Sequence, residues 1–135
     1  GHQTGDRVLR TVGLFLNKQL RKTDTIARYG GEEFAILLPN CDKERALSIA
    51  ETLRKKLASL IFRDELSRPF RMTTSIGVSL CHPEKNPTTK LEDMAYQLIQ
   101  AADKAVYNSK DSGRNQVAFM PFPHLETPKI QADLY

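Results

Sequence analysis

Tryptophan is absent from this chain, cysteine appears only twice, and no long apolar run interrupts it. Each absence narrows the reading. Cys41 and Cys81 show no metal-ligand spacing and read as reduced thiols of a cytoplasmic protein. No stretch approaches the roughly 20 apolar residues that a membrane-spanning helix needs. The opening Gly1-His2-Gln3-Thr4 is polar, so no signal peptide is expected. Aromatic residues make up 7% of the chain and do not alternate with basic ones. That pattern lacks the stacking platform of a nucleic-acid groove, and no nucleic-acid partner is expected. The formal net charge of +4 instead suits a smaller anion, such as a phosphate-bearing metabolite. With 135 residues there is room for one core.

Periodicity supplies the elements. Apolar residues at Leu9, Val12, Leu16 and Leu20 predict a helix over Asp6 to Leu20. Strands follow at Thr25–Tyr29 and Glu33–Leu38. Asp42 is placed to cap a helix reaching Leu60, with Ala46, Ile49, Ala50, Leu53 and Leu57 inward. Arg63 to Pro69 reads as a polar connection, and Phe70 to Leu80 as one strand rich in Thr and β-branched residues. Thr89-Lys90-Leu91-Glu92 has the form of a capping box. The helix after it runs to about Lys110, with Leu91, Met94, Ala95, Leu98, Ala102 and Ala105 inward and Tyr107 as a packing residue. Gly113 falls where a left-handed C-terminal cap belongs, and Gln116 to Met120 is a last strand. The domain is drawn at 1–120, with a tail or linker at 121–135. Helices interleaved with strands indicate an α/β or α+β sandwich with helices packed on a sheet.

The most informative run is Arg28-Tyr29-Gly30-Gly31-Glu32-Glu33-Phe34. It reads as strand, tight turn, strand, with two glycines and two carboxylates at the tip. Glycines allow close approach of a bulky ligand, and paired carboxylates suit a hard divalent cation that travels with phosphates. The same residues also suit a surface hairpin with solvated charges. His82 and His124 stand isolated and receive no role.

Further motifs stand in order around that turn: Gly1-His2-x-x-Gly5-Asp6, Arg21-x-x-Asp24, Thr74-Ser75-Ile76-Gly77-Val78, and Ala102-Asp103 through Tyr107 and Lys110 to Gly113-Arg114-Asn115. Taken together, from Gly1 to about Val117, the chain resembles the GGDEF domain of bacterial diguanylate cyclases in its GGEEF variant. The resemblance implies a ferredoxin-like, nucleotidyl-cyclase-like βαββαβ core, with a mainly antiparallel central sheet flanked by helices. It implies an enzyme that joins two GTP into cyclic di-GMP and releases pyrophosphate, working as a homodimer with Mg²⁺ or Mn²⁺. A silent GTP or cyclic di-GMP sensor is the alternative.

Residue by residue, the resemblance places metal binding and catalysis on Glu32 and Glu33. Backbone approach to GTP falls on Gly30 and Gly31, guanine recognition on Asp6, and phosphate contacts on Lys110 and Arg114. Arg21 and Asp24 match an inhibitory site for the product. Thr52 stands where some relatives carry another product-binding arginine, and Arg54 is expected to face elsewhere. Asp6, Lys110 and Arg114 also have plainer readings as charges placed to suit helix termini, and Arg21–Asp24 as an exposed ion pair. The family carries a helix and a strand ahead of its Gly-His motif, with a metal-binding Asp, a Phe-Lys pair and a guanine-reading Asn. None of these stands in this chain, so these 135 residues alone are expected to be weak or inactive. A sensor or receiver domain is expected in the full-length protein, and a cytoplasmic location, including the cytoplasmic part of a membrane-anchored sensor.

Overall fold

The computed structural model describes residues 2–122, His2 by its backbone alone. Within that range the order is α1 (His2–Gln19), β1 (Thr25–Gly30), β2 (Glu33–Leu37), α2 (Lys43–Ser59), β3 (Phe62–Arg63), β4 (Pro69–Phe70), β5 (Ile76–Val78), α3 (Leu91–Asp111) and β6 (Val117–Phe119). The class is α+β, as the alternation indicates. The strands form three two-stranded sheets: β1–β2 and β3–β4 antiparallel, β5–β6 parallel. The chain divides into two compact units, Gly1–Thr74 and Ser75–Tyr135, each described by itself below.

In the first unit α1 starts at His2 rather than Asp6 and buries Val12 and Leu16. The β1–β2 hairpin pairs Ile26 with Ile36 and Arg28 with Phe34. Directly opposed residues share a face, and Phe34 meets α1 where Gly13 leaves space. A Cβ on Gly13 would stand 3.5 Å from the Phe34 ring. Helix α2 opens on Asp42, whose Oδ1 accepts the Arg45 N–H at 2.8 Å. Such a cap contributes on the order of 1 kcal/mol. Its buried stripe is Ala46, Ala50, Leu53 and Leu57.

The polar connection at 63–69 is in fact a small hairpin. The Asp64 carboxylate accepts from the N–H groups of Leu66 and Arg68, both at 2.9 Å, and from Arg68 Nε at 2.7 Å. That turn brings Phe62 and Phe70 into a stacked pair 5.7 Å apart. Phe70 is thereby committed to β3, and the single strand expected over Phe70–Leu80 is broken in two.

In the second unit α3 connects the parallel strands β5 and β6 and packs on both. Its contact face is made of small residues, with Ala101, Ala105 and Ser109 buried. The reason is Gly77 in β5. A Cβ there would lie 2.2 Å from the Ala102 carbonyl oxygen and 2.4 Å from the Val106 nitrogen. Backbone lies against backbone. This placement turns the helix differently from the expected face: Met94 is buried, but Ala95 is exposed, as are Leu91 at 75% and Tyr107 at 68%. The capping box at Thr89 does not form either. Lys90 is the N-cap, and no side chain bonds there. Most of the tail expected at 121–135, with His124, lies outside the described residues.

A substitution at Gly77 tests this packing. Gly77→Ala is expected to cost at least about 1–3 kcal/mol, because helix backbone must move. Gly5→Ala in α1, with nothing within 4 Å of the added methyl, is expected to be neutral or stabilising by up to about 1 kcal/mol. Urea unfolding of both variants checks the contrast, and equal stability would refute the backbone contact.

Candidate functional site

The β1–β2 turn is a two-residue loop, Gly31-Glu32, closed by the Gly30–Glu33 pair, with a bulge at Tyr29. Glu32 and Glu33 are both exposed at the tip. Arg28 braces the turn from below: its Nε donates to the Gly31 carbonyl at 2.9 Å. Neither Gly30 nor Gly31 has a positive φ, and an added Cβ would meet only Glu33 Oε2 at 4.0 Å from Gly30, and nothing from Gly31. Among the described residues, neither turn geometry nor crowding demands glycine at either position.

Asp6 and Arg28 both line a cleft of about 580 Å³ between α1 and the hairpin, with Leu9, Arg10, Gly13, Leu14 and Phe34. The groove is shallow and largely open to solvent. Because α1 begins at His2, Asp6 lies beyond the first turn, which holds no acidic residue. Arg10, Gly13 and Leu14 were not singled out from sequence, although their spacing from Asp6 is that of one helix face. Arg28 was recognised only as part of the turn, not as its brace.

The described residues contain no group of three or more His, Cys, Asp or Glu suited to a metal ion. Two adjacent carboxylates do fit Mg²⁺, which commonly takes one or two and completes its shell with phosphate and water oxygens.

Arg21 and Asp24 are brought together as a clasp. Arg21 Nε and Nη2 donate to Asp24 Oδ1 at 3.0 and 2.7 Å, and Nη2 also donates to the Pro39 carbonyl at 2.8 Å. The Arg21 N–H donates to Asp24 Oδ2 at 2.8 Å. The Asp24 side chain is only 2% exposed, against 39% for Arg21. The Arg21 side chain, opposing a desolvation cost, holds the Asp24 carboxyl below the usual aspartate range, and Asp24 in turn raises Arg21. Thr52 is exposed, and Arg54 bonds Glu51 at 2.6 Å.

Lys110 and Arg114 belong to the second unit, at and beyond the end of α3, and both are exposed. Arg114 follows Gly113 in a left-handed turn, with φ of 114° at Gly113 and 62° at Arg114.

With this geometry in view, comparison with known proteins places the chain. The family model of the diguanylate cyclase GGDEF domain matches residues 1–116. The chain belongs to the GGDEF family. It is 41% identical over 123 residues to the uncharacterized protein YhcK of Bacillus subtilis, covering 88% of this chain and 31% of that protein. It is 37% identical to the probable diguanylate cyclase DgcT of Escherichia coli, covering 87% and 25%. It thus spans roughly a quarter to a third of these relatives' lengths. Among solved structures, the GGDEF domain of DgcB from Caulobacter crescentus, in complex with c-di-GMP, superposes with a TM-score of 0.76 at 30% identity. That match covers 88% of this chain and 66% of that one.

The clasp has a pH signature. Because the folded-state pKa of Asp24 is depressed, its contribution to stability is fully present above the unfolded-state value and is lost as pH falls through the folded one. Asp24→Asn is expected to be less stable than the native chain at neutral pH. The gap should narrow below about pH 4, where unfolded aspartate protonates. Urea midpoints across pH 2.5–7 measure it; a gap that does not change with pH would dismiss the clasp as a charge effect.

Proposed function

We propose that this domain is the catalytic part of a diguanylate cyclase, which condenses two GTP into cyclic di-GMP and releases pyrophosphate. The reading rests above all on one observation: two glycines that the fold itself does not require, beside two exposed carboxylates on a turn braced by Arg28. Membership of the GGDEF family supports it, as do relatives named as diguanylate cyclases. Each domain would hold one GTP, with two copies facing one another as a homodimer. Asp6 would accept from the guanine N1–H and exocyclic amine. Gly30 and Gly31 would let the backbone lie against the nucleotide. Lys110 and Arg114 would contact the phosphates.

The 3′-hydroxyl of one nucleotide attacks the α-phosphorus of the other. The new O–P bond forms as the bond to pyrophosphate breaks, and the hydroxyl proton leaves toward a carboxylate of the turn. The work of the protein in such phosphoryl transfer is positioning and charge neutralisation. Magnesium or manganese held by Glu32 and Glu33 would offset the charge on the phosphate oxygens. Glu32 also takes part in drawing off the proton. Arg21 and Asp24 would bind the product and restrain turnover, with Arg21 using the donor face that Asp24 and Pro39 leave open.

Incubation of the full-length protein with GTP and Mg²⁺ tests this. Cyclic di-GMP and pyrophosphate are expected. Glu32→Ala and Glu33→Ala are each expected to lower turnover by about 100-fold or more, and Asp6→Ala to raise KM for GTP by about 10-fold or more. Arg21→Ala is expected to relieve inhibition by product while leaving the initial rate near native. Tight cyclic di-GMP binding without turnover would replace the enzyme with the sensor.

A further inference from the structure

We propose that Gln116 is a positioning residue for Arg114, its carboxamide pinning the left-handed turn from which the guanidinium departs. This rests on the assignment of Arg114 to the triphosphate. The turn is unusual. Gly113, Arg114 and Asn115 take φ of 114°, 62° and 50° in succession. For a residue with a Cβ, the left-handed region costs roughly 1 kcal/mol or more, so such a run persists only where its surroundings hold it.

The surroundings are visible. The Arg114 N–H donates back to the Ser109 carbonyl at 2.9 Å, the longer bond of a Schellman closure. The Asn115 N–H donates to Ser75 Oγ at 3.2 Å. Gln116 works from both ends. Its carbonyl is fixed at the entry to β6, accepting from Ser109 Oγ at 2.7 Å and from the Ile76 N–H at 3.0 Å. Its side chain reaches back over the turn: Nε2 donates to the carbonyls of Ser112 at 2.9 Å and Arg114 at 3.2 Å. A Cβ on Gly113 would stand 3.7 Å from that same nitrogen, so the amide lies across the turn.

One NH₂ group thus ties together the two carbonyls that bracket Gly113. What the position requires is a donor aimed at two acceptors, not polarity in general. Without it, the turn can relax toward right-handed geometry and swing the Arg114 side chain off its line. Displacements of about 1 Å at a binding group are enough to cost up to roughly 100-fold.

The requirement for a donor sets the test, made on the full-length protein with a non-hydrolysable GTP analogue as probe. Gln116→Met keeps the length without donors and is expected to weaken analogue binding by about 3- to 10-fold, as the Arg114 side chain leaves its line. The thermal midpoint should stay within about 2 °C of native, less than the shift that roughly 1 kcal/mol of destabilisation brings. Gln116→Glu, which sets a carboxylate against two carbonyls, should bind less well still. Gln116→Lys restores donors and should recover affinity to within about 2-fold. Should Gln116→Met fail to fold, Gln116→Asn, too short to span the turn, carries the same expectation. Native affinity in Gln116→Met, beside a clear loss in Arg114→Ala, overturns the positioning role and leaves the phosphate assignment intact. Loss without rescue by lysine also overturns it, as does loss that tracks the thermal midpoint. If Arg114→Ala itself binds the analogue normally, the phosphate assignment fails and the inference with it.

Discussion

A helix can lie flat on a strand only where side chains get out of the way, and in the second unit this constraint comes down to one position. At Gly77 the backbone of β5 runs against the backbone of α3, with no room for even a methyl group. Everything nearby follows. The helix must present Ala101, Ala105 and Ser109 inward, because larger residues would lift it off. Ser109 then reaches the Gln116 carbonyl, which starts β6 beside β5 in parallel register. The turn that carries Arg114 is set between those two events. A turn placed after a helix is only as well placed as the contact that fixes the helix, and here that contact is short, backbone against backbone. Gly13 plays a looser version of the same part in the first unit, where it makes space for the Phe34 ring.

The first unit locates its functional groups differently, by tying loops rather than by close packing. Arg28 spends its Nε on the turn carbonyl and lines the cleft with its flank. Arg21 joins Asp24 to the Pro39 carbonyl and so links the two ends of the hairpin. In both cases a guanidinium suits the task, since a planar fork can meet two acceptors at once. If Arg21 binds the product as proposed, a side chain already held by the fold would meet it in a preset orientation and lose little freedom on binding.

Much of this was legible in the sequence, and the exceptions have physical causes. The three helices and the β1–β2 hairpin announce themselves by period and by the Gly-Gly turn. The Asp42 cap is found as read. The helix face of α3 differs at Leu91, Ala95 and Tyr107, because period identifies a stripe but not the partner that will cover it. A strand-interior glycine hints at close approach, yet only the fold shows that the approach is by α3. The β3–β4 hairpin was missed because a side chain, Asp64, organises it; no alternation marks so short a pair. The candidates Glu32, Glu33, Asp6, Arg21 and Asp24 come from motifs matched to a family resemblance, and the fold places them at the hairpin tip, on α1 and in the loop before β1. Arg10, Leu14 and the brace from Arg28 needed three dimensions.

The left-handed run at Gly113, Arg114 and Asn115 also bears on how tolerance to substitution should be interpreted. Branching at Cβ is penalised in that backbone region whatever the side chain would touch. Valine, isoleucine and threonine are thus expected to be disfavoured at 114 and 115 on conformational grounds. Only unbranched replacements of similar reach, lysine or glutamine for Arg114, separate a ligand's demand for charge from the backbone's demand for shape.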